Sequence, residues 1–199
     1  MAGMPEPVGP VVMPGTLARS RQPELHAEGL LLRPWNDGDA DVEVISRALA
    51  DADIQRWFPD VRSGGREARR WLAIRRQRWQ AESGADWAIC ENGAVIGRLG
   101  MVRLDLSAGI GEVGYWLLPD GRGRGAATRA LGALADWAFA TVGLHRLELV
   151  HSVQNPGSCR VASRAAFALE GTARERMLHG DGWHDMHVHA RLAGDPPGR

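Results

Sequence analysis

Lysine is missing from this 199-residue chain, so all 24 of its basic side chains are arginine. That excludes Schiff-base lysine chemistry and the lysine-tipped phosphate loop of nucleoside triphosphatases. Cysteine is nearly missing too: Cys90 and Cys159 stand far apart without a second pair, which excludes a disulfide framework and a cysteine zinc motif and suits a reducing, cytoplasmic setting. Excess charge of either sign is lacking, with 24 acidic groups against the 24 basic ones, so neither a dedicated nucleic-acid surface nor a membrane-binding face is expected. No apolar run approaches the ~20 residues of a membrane span, and no basic start with an apolar run marks a targeting segment. What is present, 44% hydrophobic residues in a chain of this length, suffices for one core without staples.

Composition divides the chain into a Pro- and Gly-rich flexible leader over 1–22, a folded domain over 23–193 and a frayed tail over 194–199. Leu30 to Leu32 reads as a strand stopped by Arg33-Pro34, followed by turn and cap residues Asn36 to Asp39 and a helix carrying Val42, Ile45, Ala48 and Leu49. A second helix is expected from about Glu67 to Glu82. The period then changes: Trp87 to Glu91 and Val95 to Val102 flank Asn92-Gly93, a hairpin signature, and Ile110 to Leu118 adds a third antiparallel strand. A helix from Gly125 to about Thr141, a strand over Arg146 to His151, a helix from Asn155 to about Leu169 and one or two closing strands, the last over Asp185 to Leu192, complete the order. This predicts an α+β single domain with a mixed, mostly antiparallel sheet flanked by helices.

The segment richest in chemistry runs from Gly111 through Glu112-Val113-Gly114-Tyr115-Trp116-Leu117-Leu118 into Pro119-Asp120-Gly121-Arg122-Gly123-Arg124-Gly125-Ala126-Ala127-Thr128. A strand enters a glycine-rich turn, and the turn opens a helix. Converging backbone N–H groups and the positive end of the helix dipole favour a pyrophosphate there, and Arg122 and Arg124 add charge. The dinucleotide fingerprint does not fit, because Gly121, Gly123 and Gly125 alternate and follow an antiparallel meander.

Arg122, Gly125 and Ala127 meet the Q/R-x-x-G-x-G/A pattern by which the chain resembles the GNAT superfamily of N-acetyltransferases. Leu30-Leu31-Leu32-Arg33-Pro34, Glu112-Val113-Gly114-Tyr115-Trp116-Leu117 and Asn155-Pro156-Gly157-Ser158 resemble blocks of its RimJ/RimL-type ribosomal-protein alanine N-acetyltransferase branch, in the same order. The chain departs at Ala166-Phe167, where relatives have Gly-Phe, which costs turn geometry.

The resemblance implies a GNAT fold and direct acetyl transfer from acetyl-coenzyme A to an amine, without metal. The acceptor it implies is the N-terminal α-amine of a protein; a small amine such as an amino sugar, polyamine or antibiotic stands as the alternative, and so does a non-catalytic acyl-coenzyme A-binding module. Glu112 fits the base that deprotonates the amine. Backbone N–H groups around Trp116, Leu117 and Leu118 suit the oxyanion, and Ser158 is the candidate partner of the leaving thiolate, preferred over Tyr115, which is assigned to the substrate side with Trp57. Cofactor contacts are expected from Trp116, Leu117 and Leu118, from Arg122, Gly123, Arg124, Gly125, Ala126, Ala127 and Thr128, and from Asn155, Ser158, Arg160 and Arg164. Asn155 either caps its helix, holds the pantetheine amide, or does both; Arg160 and Arg164 face the nucleotide phosphates or solvent.

The Arg66, Arg69, Arg70, Arg75, Arg76 and Arg78 run reads as a solvated helix face rather than an RNA contact. Strand alternation sets His187 and His189 on one face and His184 on the other, which speaks against a three-histidine metal site. Monomer and homodimer are both left open.

Overall fold

The computed structural model describes residues 9–58 and 65–196, so expectations for 1–8, 59–64 and 197–199 lie outside the described residues. Its strands are β1 (Leu25–Ala27), β2 (Leu30–Pro34), β3 (Ala85–Glu91), β4 (Ala94–Asp105), β5 (Ile110–Leu117), β6 (Arg146–Ser152), β7 (Ala168–His179) and β8 (Gly182–Leu192). Its helices are α1 (Asp39–Ala50), α2 (Ala52–Trp57), α3 (Gly65–Gln80), α4 (Ala126–Trp137) and α5 (Pro156–Arg164). The strands form a single sheet in the order β1-β2-β3-β4-β5-β6-β8-β7. Every neighbouring pair is antiparallel except β5 and β6, so the predicted mixed, mostly antiparallel α+β domain is what forms.

That parallel pair positions everything else. Its register covers Ile110 to Val113 against Arg146 to Leu149 and then stops. Beyond it the strands part, leaving Gly114 to Leu117 facing Val150 to Ser152 across a gap. Side chains alternate across β5: Val113, Tyr115 and Leu117 turn to the α4 side, where Leu131, Leu134, Leu147 and Leu149 build the larger core. Trp116 and Leu118 turn to the α1–α3 side, against Ile45, Leu49, Ile54 and Leu72. Each fully buried Leu or Ile contributes roughly 1.5–3 kcal/mol, so the two apolar layers hold the parted strands from both sides.

Several boundaries differ from expectation, each for a local reason. Helix α2 is an addition to the expected order; Asp51 ends α1 and caps α2, its Oδ1 accepting from Ile54 N–H at 2.9 Å. The helix after Gly125 reaches the expected end before Gly143, but its last turn, Ala138–Val142, is a wider π-turn. The helix from Asn155 ends at Arg164 instead of Leu169, because Ala166 takes a left-handed conformation (φ 62°) and turns the chain into β7. β7 runs antiparallel to β8, and its register shifts between Ala173 and Met177, where Glu175 is also left-handed.

The expected leader is part of the fold where it is described. Val12 and Leu17 are buried in the main core, Val11 and Val12 donate N–H bonds to the Ser107 and Leu106 carbonyls, and the Glu82 carboxylate accepts from the N–H groups of Gly15, Leu17 and Ala18. Apolar residues amid prolines were enough to dock the segment.

Candidate active site

The gap between β5 and β6 opens into a cleft of about 1010 Å³ that runs through the sheet, large enough for an extended ligand and a second reactant. Glu112, Tyr115, Trp116, Leu117, Arg122, Gly123, Gly125, Ala126, Ala127, Thr128, Asn155, Ser158, Arg160, Arg164 and Trp57 all line it.

At one end lies the glycine-rich turn. Gly123 (φ 79°) and Gly125 (φ 75°) are left-handed, and Gly125 is the residue before the first turn of α4. A Cβ added at either would meet no heavy atom within 4 Å, so a bulky anion can approach this backbone. The first N–H groups of α4 lack partners within their helix and carry the positive dipole end. The turn therefore suits a diphosphate group.

The two arginines of the turn do something other than expected. Arg122 donates from Nε to the Leu117 carbonyl at 3.0 Å and from its two Nη atoms to Asp51 and Asp53 at 3.0 and 2.7 Å, clamping α2 to the turn. Arg124 pairs with Glu91 at 2.9 Å. Their charge is largely neutralised within the protein, whereas Arg160 and Arg164, exposed on α5 along the cleft, have no ion pair among the described residues. Leu118 is corrected as well: its side chain is buried against α1–α3 and its N–H donates to the Ile96 carbonyl at 2.9 Å. By strand alternation the Trp116 N–H also points at β4, which leaves the N–H groups of Tyr115 and Leu117 facing the gap.

At the other end the Tyr115 hydroxyl and Ser158 Oγ lie 3.0 Å apart, joining β5 to the first turn of α5 across the gap. Its place on the strand sets Tyr115 apart from the leaving group in the sequence; the length of its side chain brings it there in the fold. Burial pushes its phenol above the usual tyrosine range, partly countered by Ser158. Asn155 caps α5, its Oδ1 accepting from Ser158 N–H at 3.0 Å, which fixes the serine.

The opposite face of the sheet carries Glu112, with 18% of its side chain exposed and Arg103 at 3.8 Å. It also carries a chain of hydrogen bonds that no sequence signal marked. His184 Nε2–H donates to Asp181 at 2.8 Å, which in the neutral ring leaves Nδ1 to accept from the Ser152 hydroxyl at 2.8 Å, while Ser152 Oγ itself accepts from Gln154 N–H. Trp57 packs on His179 and His184 with ring centroids 6.2 and 6.5 Å apart and lines the cleft. The arginine-rich helix is solvated only in part: Arg69 and Arg76 reach Asp39 and Asp37, but Arg75 and Arg78 turn inward to Asp86, which also binds Arg98. Burial pushes the Arg75 guanidinium down to about 10 against the pull of Asp86. Three arginines around one carboxylate leave this wall of the cleft positive.

Residues 29–168 match the family of acetyltransferase (GNAT) domains. Among curated relatives, the ribosomal-protein-serine acetyltransferase of Escherichia coli (strain K12) is 32% identical over 98 residues, which are 49% of this chain and 55% of that one. The chain spans about half to two thirds of the length of curated relatives such as this. Among solved structures, Mycobacterium smegmatis RimJ in complex with a coenzyme A disulfide superposes with a TM-score of 0.76 at 24% identity, covering 86% of each chain. RimL, a ribosomal L7/L12 α-N-protein acetyltransferase solved with coenzyme A, gives a TM-score of 0.76 at 22% identity over 82% of this chain and 94% of that one. At these identities the structures speak for the fold.

Proposed function

Because the chain belongs to the GNAT acetyltransferase family, we propose that it transfers the acetyl group of acetyl-coenzyme A to the N-terminal α-amine of a protein, by direct attack within a ternary complex. What carries this is the parting of β5 and β6 beside a left-handed glycine turn, with a carboxylate on one face of the gap and a paired Tyr and Ser on the other.

The turn from Gly123 to Thr128 holds the diphosphate by backbone N–H groups, and Arg160 and Arg164 add the free positive charge. The thioester then lies in the gap, where the N–H of Leu117 is available to its carbonyl oxygen. On the α1–α3 face Glu112 takes the proton of the attacking amine, directly or through water. On the α5 face the Ser158 hydroxyl, hydrogen-bonded to Tyr115, meets the departing thiolate, and the protonated phenol supplies its proton through the serine. Base and acid thus act from opposite sides of the sheet, and neither need move.

The E. coli relative, by its name, acts on a serine of a ribosomal protein, which supports a protein acceptor here. The cleft's second wall, with Trp57, Trp71, Arg75 and Arg98, suits an extended segment bearing an acidic side chain. The test is release of free coenzyme A with a panel of peptides bearing free Ser or Ala N-termini, with and without early Asp or Glu, against polyamines and amino sugars. Peptide turnover with acetyl at the α-nitrogen, fastest for acidic peptides, is expected. Turnover of small amines alone would move the acceptor to that class, and binding of acetyl-coenzyme A without turnover of any amine would make the chain a binding module.

A further inference from the structure

The sequence sets His184 near His187 and His189 and gives no metal site from the three. The fold exchanges one partner and adds another. β6 and β8 pair with His151 opposite His187 and Leu149 opposite His189, so His151, His187 and His189 share the sheet face under α5, while His184 turns to the other face. α5 then lays Cys159, a free cysteine, over the three rings. One ligand atom from each of the four residues can be chosen so that all lie within 4.8 Å of one another.

The rings are prepared in a specific way. His151 Nδ1 donates to the Ser152 carbonyl at 2.8 Å and His189 Nδ1 to the Phe167 carbonyl at 3.2 Å, leaving each Nε2 as a bare lone pair. Those two Nε2 atoms and His187 Nδ1 are buried without a hydrogen-bond partner among the described residues. Three orphaned imidazole nitrogens in one cluster are costly if nothing joins them, since a buried unpaired polar group forfeits about 1–3 kcal/mol. The backbone carbonyls that hold the far nitrogens of His151 and His189 are the usual outer support of metal-binding histidines.

We propose that His151, Cys159, His187 and His189 form a tetrahedral site for zinc(II), with one thiolate and three imidazole ligands. With zinc to nitrogen near 2.0–2.1 Å and zinc to sulfur near 2.3 Å, tetrahedral edges are about 3.3–3.6 Å, so the four atoms close by about 1 Å on binding. Soft thiolate plus imidazole in this geometry selects zinc over magnesium or calcium, and four protein ligands leave no open position for substrate. The site is therefore structural: it pins α5 to β6 and β8 one residue from Ser158, and binding releases the thiol proton to solvent. It does not depend on the acetyl-transfer reading, because its measurement needs neither acetyl-coenzyme A nor an amine.

The experiment is elemental analysis of the full chain as purified, followed by titration of chelator-treated protein with cobalt(II). Near one equivalent of zinc, or a cobalt complex with intense tetrahedral visible bands and a near-ultraviolet thiolate charge-transfer band, is expected. Cys159→Ser, at a partly exposed position that tolerates the change, loses the charge-transfer band and binds cobalt more than ~100-fold more weakly, beyond what loss of an outer support costs. His184→Gln keeps the complex. No zinc together with no tetrahedral cobalt spectrum overturns the site, and a charge-transfer band that survives Cys159→Ser overturns the ligand set. Zinc should also raise the melting temperature, and a chelator should reverse that; a folded protein whose melting ignores both, with no bound metal, counts against the proposal.

Discussion

The Tyr115 hydroxyl meets Ser158 Oγ at 3.0 Å beside the gap where the β5–β6 pairing stops, at the one parallel pair of the sheet among the described residues. A strand residue and a helix residue thereby share one proton-carrying contact where the thiolate would leave. Tyr115→Phe and Ser158→Ala should each lower kcat by roughly 10²-fold with acetyl-coenzyme A affinity kept, and the double variant should be little worse than the poorer single one, since the groups act as a unit. Steady-state rates with a binding assay decide this; additive losses would separate the two residues. Because burial raises the phenol, it stays protonated through neutral pH, and both its donor role and its contribution to stability are lost only as pH climbs above about 10. An alkaline limb missing from Tyr115→Phe is the expected signature.

The two candidate proton acceptors on the other face can be told apart. Glu112→Gln should cut turnover by roughly 10² at neutral pH, and the loss should shrink as pH passes the α-amine value of about 8, whereas a lysine-like amine near ~10.4 would keep needing the base. His184→Gln breaks the Ser152 to Asp181 chain and should cost much less. The reverse order in paired pH profiles would give the base to Ser152 and His184.

Acetyl-coenzyme A should raise the melting temperature of the wild-type chain by mass action. Gly125→Glu puts a Cβ and a negative charge into the open space beside the turn and should abolish that rise. Thermal shift across a ligand titration reads the outcome; an unchanged rise would move the diphosphate elsewhere.

The Glu82 carboxylate binds the N-terminal segment. Burial works to raise its pKa, but N–H donation from Gly15, Leu17 and Ala18 prevails and holds it below the ordinary value. A depressed folded pKa gives stability that is present above the unfolded value of about 4.3 and is lost as pH falls through the folded one. Trp79 Nε1 donates to the Ser20 carbonyl at 3.0 Å, so its emission should report release of the segment on acidification. Glu82→Gln should show the released spectrum already at neutral pH.

Ala166 occupies a left-handed position that costs a residue with a Cβ about 1–2 kcal/mol. Ala166→Gly removes that cost, offset by roughly 0.5–1 kcal/mol of unfolded-chain entropy. The variant should be more stable by about 0.5–1 kcal/mol, or roughly 1–4 °C in a chain of this size, by calorimetry.

Local signals carried far in this chain. Asn92-Gly93 marked the hairpin, and Gly125 and Asn155 marked the two helix starts beside the cleft, since turn and cap chemistry is written in adjacent residues. The glycine turn was legible for the same reason, whereas Ser158 came from the resemblance of Asn155-Pro156-Gly157-Ser158 to a family block. Relations that pass through the sheet were not. Nothing in the order of residues joins His151 to His187, or Ser152 to His184, until β6 and β8 are set side by side. Nor does the sequence say that Arg122 and Arg124 are answered by Asp51, Asp53 and Glu91, because those carboxylates arrive from other elements.

The register shift in β7 bears on how the molecule meets copies of itself. A twelve-residue strand at the rim of a sheet is a template on which another chain can add by backbone hydrogen bonds, and such growth needs a long regular edge. Between Ala173 and Met177 that regularity is broken by left-handed Glu175, whose N–H is already taken by Asp185, with Arg174 and Arg176 on either side. A second shift between Leu169 and Gly171 leaves only short regular runs on that rim, Ala168 to Leu169, Gly171 to Ala173 and Met177 to His179, which denies open-ended stacking at high concentration a continuous seam.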